Sequence, residues 1–260
     1  MKILPTSLEP VDTPTRSHLI PKVIYQTWKS NNLTDYLHDC AYTWISKNPD
    51  YRYEFFDDAR LEKFVHDFDC SNFTFTRDDM LRAFNSYAHP VGKADIWRYF
   101  VIYANGGVYM DIDTKCATPL SKYVDDTDTY VTGIDPARGI HQWGIIMSAK
   151  HPFMKHTIEN AIKCTLTRTR VPGTEKENDN LEVYTGPWVM NYSIKKLLNI
   201  RPERHFGAGT STVMIEGSKY RIKILPKPLM NGHVGFDHAR YLQNLRDHNI
   251  PYWSNTRLWK

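Results

Sequence analysis

Two aspartates separated by one residue, Asp111 and Asp113, have the side chains and spacing best suited to chemistry in this sequence. They follow the apolar run 108–110, which predicts a short strand. On a strand, residues two apart face the same side, so both carboxylates would project together while Ile112 points into the core. Paired carboxylates suit Mg²⁺ or Mn²⁺, which substrate phosphates then complete. The pair predicts a metal site for a diphosphate, as in a nucleotide-activated donor.

A second pair, Asp95 and Arg98, lies on the helix predicted just before this strand. The two residues are three apart and therefore share one face of that helix. Arg98 would bind phosphate through two parallel hydrogen bonds, and Asp95 would accept hydrogen bonds from sugar hydroxyls. The alternative is a surface ion pair worth less than about 1 kcal/mol.

Strands alternate with helices along the chain, and this order predicts the fold class. Strands are predicted at 22–28, 51–55, 108–110, 129–134, 143–149 and 220–225, and helices at 34–47, 58–67, 93–104, 152–166 and 187–198. The alternation is typical of an α/β domain with a mostly parallel sheet flanked by helices. Such sheets bind ligands at the carboxyl ends of their strands, where Asp57, Asp58, Asp111 and Asp113 all fall. Residues 1–19 are polar and interrupted by prolines, and they predict an N-terminal arm.

The composition indicates a globular protein and excludes some partners. The chain has 260 residues, a formal net charge of +4 and 41% hydrophobic residues, enough for one large domain. No Lys and Arg run is dense enough to follow a nucleic-acid backbone. No apolar stretch reaches the roughly 18 residues of a membrane span. Without a secretory signal or paired cysteine spacing, we expect a reduced, cytoplasmic protein. The sequence does not indicate an oligomeric state.

The segment 92–120 combines a helix, an Asn-Gly-Gly stop, a short strand and the acidic pair. It resembles the DXD sugar-binding region of family 32 retaining glycosyltransferases, which include fungal mannosyltransferase-like, capsular and viral enzymes and, distantly, the clostridial glucosylating toxins. IPKVIYQTWKS at 20–30, NPDYRYEFFDD at 48–58 and TGP at 185–187 are similar to further motifs of that family. Two features differ from the family pattern. Tyr25 stands where the family usually has His, and the C-terminal His…SW signature is replaced either by His248 with Trp253 and Ser254 or by Trp259.

This resemblance implies a GT-A fold with a Rossmann-like sheet in a single domain over 20–260. The donor-binding part would span about 20–120 and the acceptor-facing part about 121–260. It also implies a UDP- or GDP-linked nucleotide-sugar donor, Mn²⁺ (or Mg²⁺) as cofactor, and a glycan or glycolipid acceptor. A hexose would be transferred with retention of its anomeric configuration. Many relatives are anchored in the Golgi lumen, which is the alternative location if an anchor was removed.

The resemblance also implies roles for individual residues. Trp28 would stack on the nucleotide base with Thr27 beside it, and Asp58 or its neighbour Asp57 would contact the nucleotide or else cap a helix. The remaining roles fall on residues of the DXD region and the C-terminal signature: Asp95 and Arg98 on the donor sugar and diphosphate, Tyr109 near the phosphates, Asp111 on ribose and sugar hydroxyls or on the metal through water, Asp113 as direct metal ligand, and His248 as candidate third ligand.

Three weaker signals concern the acceptor and the end of the chain. The loop at 141–143 lies where the family places an acceptor- or sugar-facing segment, although a lone His141 is more often structural. The TGP motif followed by Trp188 suggests an acceptor wall at the start of a helix. The aromatic tail from Tyr252 to Trp259 would either cover the donor as a lid or pack on the sheet.

Two other functions are compatible with the acidic pair. The run 108–114 also fits the D-x-D-x-T pattern of a haloacid-dehalogenase phosphatase, with Asp111 as nucleophile and Asp113 as general acid. The position of the motif argues against a phosphatase. In that class the motif usually begins the domain, whereas here about 110 residues precede the motif. The second alternative is a non-catalytic module that binds a sugar nucleotide.

Overall fold

The computed structural model describes residues 1–11, 17–135, 139–175, 177, 180–226, 232–252 and 259. Its strands are β1 (Lys2–Ile3), β2 (Ser7–Leu8), β3 (Val23–Thr27), β4 (Asn32–Leu33), β5 (Arg52–Phe56), β6 (Gly107–Met110), β7 (Lys115–Cys116), β8 (Tyr130–Asp135), β9 (Gly139–Ile140), β10 (Gly144–Met147), β11 (Gly209–Ile215), β12 (Ser218–Leu225) and β13 (Val234–Gly235). Its helices are α1 (Asp35–Lys47), α2 (Asp58–Asp67), α3 (Arg77–Ser86), α4 (Pro90–Asn105), α5 (Pro152–Thr167), α6 (Pro187–Leu197) and α7 (His238–Asp247), with 3-10 turns at Leu120–Lys122 and Leu181–Val183. Every strand and helix predicted from the sequence is present.

The central sheet has the strand order β11-β12-β8-β10-β6-β3-β5-β2. Strand β3 is parallel to both β5 and β6, and β12 is parallel to β8. Strand β10 is antiparallel to both of its neighbours, β6 and β8. Five of these strands (β5, β3, β6, β8 and β12) therefore run in one direction, and the mostly parallel α/β sheet is confirmed. The reversal at β10 places its first residue next to the last residue of β6.

Helices cover the sheet on both faces, so the central strands are buried on both sides. In β6, Val108 and Met110 belong to the core cluster formed with α1, whereas Tyr109 belongs to the cluster formed with α4, α5 and α6. This alternation follows the two-residue period of a strand. A strand buried on both faces is a continuous apolar run, which explains the composition of 108–110.

The Asn-Gly-Gly stop predicted after α4 makes the sharp reversal from this helix into β6. Gly106 has a φ of 65°, and a Cβ at this position would lie 2.5 Å from the backbone nitrogen of Ala149. Gly107 has a φ of 108°, and its Cβ would lie 2.8 Å from the Val23 carbonyl oxygen. Both positions favour glycine on conformation and on space. The tight reversal keeps α4 packed beside the strand that leads to Asp111.

Residues 1–11, in the segment predicted as an N-terminal arm, contact the rest of the domain through two short strands. Strand β2 pairs antiparallel with β5 at the edge of the central sheet, and β1 pairs with β4. Leu4 is fully buried in the core cluster on the α1 side. A buried apolar side chain and an open sheet edge thus hold this polar segment against the domain.

Several elements were not predicted from the sequence. Helix α3 begins with a capping box in which Thr76 and Asp79 each accept a hydrogen bond from the other's backbone N–H. The β11–β12 hairpin turns at Glu216 and Gly217, both with positive φ, as a two-residue turn of type I′ requires. Helix α7 was also missed. No helix in the described part of the chain is long and apolar enough to cross a bilayer.

We expect His151 to make the fold sensitive to acid. This side chain is fully buried against Tyr130, Phe153 and Tyr220, and its Nδ1 accepts the Phe153 backbone N–H at the start of α5. Burial lowers the pKa of His151 to about 3. Below the unfolded-state pKa of about 6.5 the unfolded chain binds a proton that the fold excludes, so stability falls as pH decreases from there towards 3.

The test compares wild type with His151→Asn, because asparagine preserves the helix cap. Between about pH 7.5 and pH 5.5 the wild type should lose about 1.4 kcal/mol more free energy of unfolding than the variant, measured by urea denaturation. Parallel pH profiles for the two proteins would contradict the assignment.

Candidate functional site

Helix α4 places Asp95 and Arg98 on its buried face. Their exposed fractions are 4% and 5%, and an Arg98 Nη2 to Asp95 Oδ1 distance of 3.0 Å defines a buried ion pair. The alternative of a surface ion pair is therefore wrong. A buried charge is tolerated only when it is paired and hydrogen-bonded, so the surrounding partners are part of the site.

Two segments distant in sequence complete the hydrogen bonding of this pair. The Gln142 side chain donates through Nε2 to Asp95 Oδ1 at 3.0 Å and accepts through Oε1 from Arg98 Nη1 at 2.9 Å. Thr185 Oγ1 donates to Asp95 Oδ2 at 3.0 Å. Both partners lie in segments that the sequence had marked only weakly, the 141–143 loop and the TGP motif. The sequence motifs that contain Gln142 and Thr185 were noticed, but the direct contact of these two residues with Asp95 was not predicted.

Arg98 connects helix α4 to the acidic pair after β6. Its Nη2 lies 3.4 Å from Asp111 Oδ1, which also accepts the Tyr109 hydroxyl at 2.5 Å, and its guanidinium stacks 4.7 Å from the Tyr109 ring centre. Burial favours the neutral form of Arg98, but Asp111, Tyr109 and Asp95 outweigh it and raise its pKa. Within the described residues Arg98 Nε is buried without an acceptor. A cation with a spare donor suits an anionic group of a ligand.

The acidic pair lies on a turn and not on a strand. Strand β6 ends at Met110, and the Thr114 backbone N–H donates to the Asp111 carbonyl oxygen at 3.1 Å to close a turn. The prediction that Asp111 and Asp113 face the same side of a strand is therefore wrong, because these residues are not on a strand. Ile112 nevertheless points into the core, with an exposed fraction of 4%. The two carboxylates are left together at the edge of the core.

The electrostatics of this turn fit a divalent cation. Burial and then the charge of Asp111 raise the pKa of Asp113 to about 8. Burial also raises the pKa of Asp111, against the opposing effects of Arg98 and Tyr109. Two crowded carboxylates with oxygen-only donors are the kind of site that Mg²⁺ and Mn²⁺ occupy with water and substrate phosphates. Metal binding would offset the burial and the Asp111 charge that raise the pKa of Asp113.

No third ligand joins the pair in the described part of the chain. No group of three Asp, Glu, His or Cys side chains there could hold a metal ion. His248 follows the last residue of α7, with its Nδ1 2.9 Å from the Asn244 carbonyl oxygen. Its role as a metal ligand stays a prediction. Trp253 and Ser254, the other half of the proposed C-terminal signature, lie outside the described residues, and Trp259 stacks on Tyr87.

Helix α7 lies near the acidic turn, a proximity that was not predicted. The Tyr36 hydroxyl donates to the Asp237 carbonyl oxygen at 3.3 Å, which joins α1 to the start of α7. Burial, Asp113 and Asp111 raise the pKa of Tyr241, so this α7 side chain is close to both carboxylates. Tyr241 is therefore an additional candidate site residue.

Strand β3 contacts the acidic turn through Gln26. Gln26 is fully buried, accepts the Tyr53 hydroxyl at 3.0 Å and donates to the Asp111 carbonyl oxygen at 3.3 Å. The Thr27 hydroxyl donates to the Phe56 carbonyl oxygen at 2.7 Å, and Trp28 is half-buried against the core on the α1 side. The predicted contacts of Thr27 and Trp28 with a nucleotide stay predictions.

The acidic residues after β5 have two different roles in the local structure. Asp57 caps α2 by accepting the Arg60 backbone N–H at 2.8 Å, as the structural alternative predicted. Asp58 is the first residue of α2 and its side chain is exposed. Its contact with a nucleotide stays a prediction.

Comparison with known proteins shows what the region around this site is similar to. Residues 34–130 match the family model described as the glycosyltransferase sugar-binding region containing the DXD motif. The matched range contains the buried pair of α4 and both aspartates of the acidic turn. This part of the chain is therefore similar to the sugar-binding region of DXD glycosyltransferases, and it lies on an α/β fold.

The resemblance to family 32 glycosyltransferases is confirmed, and fungal mannosyltransferases are among the curated relatives. The chain is 29% identical over 148 residues to inositol phosphoceramide mannosyltransferase 3 of Schizosaccharomyces pombe, covering 56% of this chain and 38% of that protein. It is 27% identical over 210 residues to the initiation-specific alpha-1,6-mannosyltransferase of Candida albicans, covering 69% and 53%. The chain thus spans about half or less of the length of these relatives. A solved structure named PaToxG Glycosyltransferase is 19% identical, with a TM-score of 0.49 over 68% of this chain and 69% of that one.

We expect Asp95→Ala to destabilise the fold strongly. The substitution leaves the Arg98 guanidinium buried without its nearest carboxylate, a loss that costs about 3 kcal/mol of unfolding free energy in buried pairs. Asp67→Ala is the matched control, because Asp67 forms an exposed ion pair with Lys63. This control should change stability little. Urea denaturation measures both, and equal effects of the two substitutions would contradict the structural role of Asp95.

Proposed function

We propose that this chain is a metal-dependent, retaining glycosyltransferase that transfers a mannosyl group from a nucleotide sugar to a glycan or glycolipid acceptor. The observation that carries the proposal is the buried network from Asp95 through Arg98 to Asp111. It fixes a cation and two carboxylates at the edge of the sheet where α/β folds bind ligands. The names of the fungal relatives support the mannosyl group and a lipid acceptor.

Different residues would bind different parts of the donor. Arg98, fixed by Asp95 and Gln142, would bind the diphosphate through its remaining donors. Asp95 Oδ2 accepts one hydrogen bond, from Thr185, and keeps capacity for a sugar hydroxyl. Asp113 would hold the metal directly, and Asp111 would hold it directly or through water. When bound, the metal supplies positive charge that stabilises the departing diphosphate.

Retention requires little covalent chemistry from these side chains. In a front-side displacement the acceptor oxygen forms its bond to the anomeric carbon on the face from which the diphosphate leaves. The acceptor proton passes to a phosphate oxygen of the leaving group. The contributions of Arg98 and the acidic turn are then positioning and charge stabilisation.

The phosphatase alternative has weaker support. The matched family model and the relatives' names are those of glycosyltransferases, and none of them indicates a phosphatase. A non-catalytic sugar-nucleotide-binding module would use the same contacts as the transferase, so turnover is what separates these two functions.

The donor test incubates the chain with UDP-glucose, UDP-galactose, UDP-N-acetylglucosamine and GDP-mannose, each with Mn²⁺ or with EDTA, and measures release of the nucleoside diphosphate. We expect turnover of GDP-mannose only with metal. Asp113→Asn should lower that rate by about 100-fold or more, because a metal ligand is lost. Asp67→Asn, an exposed carboxylate of the same type, should not change it.

Other outcomes separate the alternatives. Turnover that persists in EDTA would contradict metal dependence, and cleavage of p-nitrophenyl phosphate without donor turnover would favour the phosphatase. Calorimetric binding of GDP with Mn²⁺, with no turnover for any acceptor, would favour the non-catalytic module. An inverted anomeric configuration in the product, read by NMR, would contradict retention.

A further inference from the structure

Strand β11 forms one outer edge of the central sheet, and the side of it that faces away from β12 is open. The strand is seven residues long, and within the described ranges it pairs with β12 alone. Five of its seven residues are exposed, and the exposed fraction of Met214 is 60%. The row of backbone N–H and C=O groups on such an edge is a template for pairing with another strand.

This edge lacks the features that usually prevent such pairing. Proteins protect their edge strands with charged side chains, with proline or by keeping the strand short. Strand β11 has the sequence GTSTVMI, without charge or proline, and its Thr and Val residues favour extended structure. Strand β2 at the opposite edge has only two residues. One edge of the sheet is therefore protected by its short length, whereas β11 is suited to a partner.

The hairpin geometry determines which backbone groups of β11 point outward. Ile215 and Ser218 flank the two-residue turn, so the C=O of the first accepts the N–H of the second and they form a hydrogen-bonded pair. Hydrogen-bonded and non-bonded pairs alternate along antiparallel strands. Thr212 lies opposite Arg221, three pairs further along, and this pair is therefore of the non-bonded kind.

A contact on the other side of β12 agrees with this assignment. The Arg221 carbonyl oxygen accepts the Thr129 backbone N–H at 2.9 Å, so the backbone of Arg221 is turned away from β11. Its partner Thr212 is likewise turned away from β12. By the same alternation the backbone groups of Thr210 and Met214 point outward too.

The outward groups of β11 are complementary to themselves. Thr210 and Met214 lie two residues on either side of Thr212. A second copy that runs antiparallel, with the two Thr212 residues opposite each other, would place each Thr210 opposite a Met214. All three pairs would then be of the hydrogen-bonded kind, with two backbone hydrogen bonds in each. This single register uses every outward group between Thr210 and Met214.

Charge does not oppose the meeting of two copies at this edge. No residue of β11 is charged, so no like charges would face each other across the new pair. On the adjacent strand, Arg221 and Lys223 form ion pairs with Asp128 at 3.1 and 2.7 Å. Growth beyond two copies is not expected, because β11 would be used up and β2 is too short to pair further.

We propose that this chain forms a symmetric dimer through β11, in which two central sheets join antiparallel about Thr212. The partner is a second copy because the register is symmetric, a property that a strand from another protein would not require. The two-fold axis would be perpendicular to the sheet, so the same face of both sheets would lie on the same side. This interaction surface is outside the region that matches the family model, and it does not depend on the transferase proposal.

The first test measures the oligomeric state of the full chain by sedimentation velocity at increasing micromolar concentrations, without substrate. Thr212→Pro removes the outward N–H at the centre of the interface and leaves the β11–β12 hydrogen bonds in place. It should weaken the dimer about tenfold or more, because one hydrogen bond is lost from each copy. Thr212→Val keeps the N–H and should dimerise as wild type does. A wild type that stays monomeric, or a dimer that proline does not weaken, would overturn the proposal.

The second test examines the register and does not rely on a proline variant that folds. In Thr212→Cys the Cα atoms of the two introduced thiol residues would lie about 5.5 Å apart, within the range of a disulfide. Mild oxidation should therefore give a covalent dimer on a non-reducing gel. The matched control is Met214→Cys on the same exposed face, because residue 214 would be displaced from its own counterpart by about 14 Å along the strands. Wild type controls for the four native cysteines. Equal cross-linking of the two variants, or none in Thr212→Cys, would overturn the proposal.

Discussion

The buried charge of Arg98 is the constraint on which the rest of the site depends. A guanidinium removed from water must be paired and hydrogen-bonded on its donors. Its partners come from four parts of the chain: Asp95 on α4, Gln142 before β10, Asp111 after β6 and, through Asp95, Thr185 before α6. One charge thus fixes four segments to one another. A loss of any of these partners would change both the shape of the site and the stability of the fold.

The antiparallel orientation of β10 makes this convergence possible. In a fully parallel sheet the segment before β10 would lie at the edge opposite the carboxyl end of β6. Because β10 is reversed, its start pairs with the end of β6, with Gly144 opposite Met110. The Asp111 backbone N–H then donates to the Trp143 carbonyl oxygen at 2.8 Å, and Gln142 comes within reach of Arg98. The departure from a parallel sheet is therefore a requirement of the site.

Local patterns predicted most of the fold, and long-range contacts account for what they missed. Helix α4 and its glycine stop follow from apolar spacing and Asn-Gly-Gly, so the pairing of Asp95 with Arg98 could be predicted. Burial of that pair depends on Gln142 and Thr185, which are 47 and 90 residues from Asp95. The capping box at Thr76 was a usable signal for α3 that the prediction overlooked. Helix α7 carries Tyr241, Leu242 and Leu245 at helical spacing, which was a second signal that the prediction overlooked, whereas its position near the acidic turn depends on tertiary packing.

The turn that joins the buried pair of α4 to helix α6 has little freedom of position, and a cavity of about 640 Å³ lies along that helix. Gly186 begins α6, and a Cβ there would lie 2.5 Å from the Glu182 Cα, so the backbone around the TGP motif is held in close contact. Thr185 on one side of this glycine contacts Asp95, and Trp188 on the other side lines the cavity. The family match ends at residue 130, whereas the described cavity wall comes from residues 139–206. Asp95 and the acidic turn thus lie within the range of the family match, whereas Gln142 and Thr185, which hydrogen-bond to Asp95, lie beyond it.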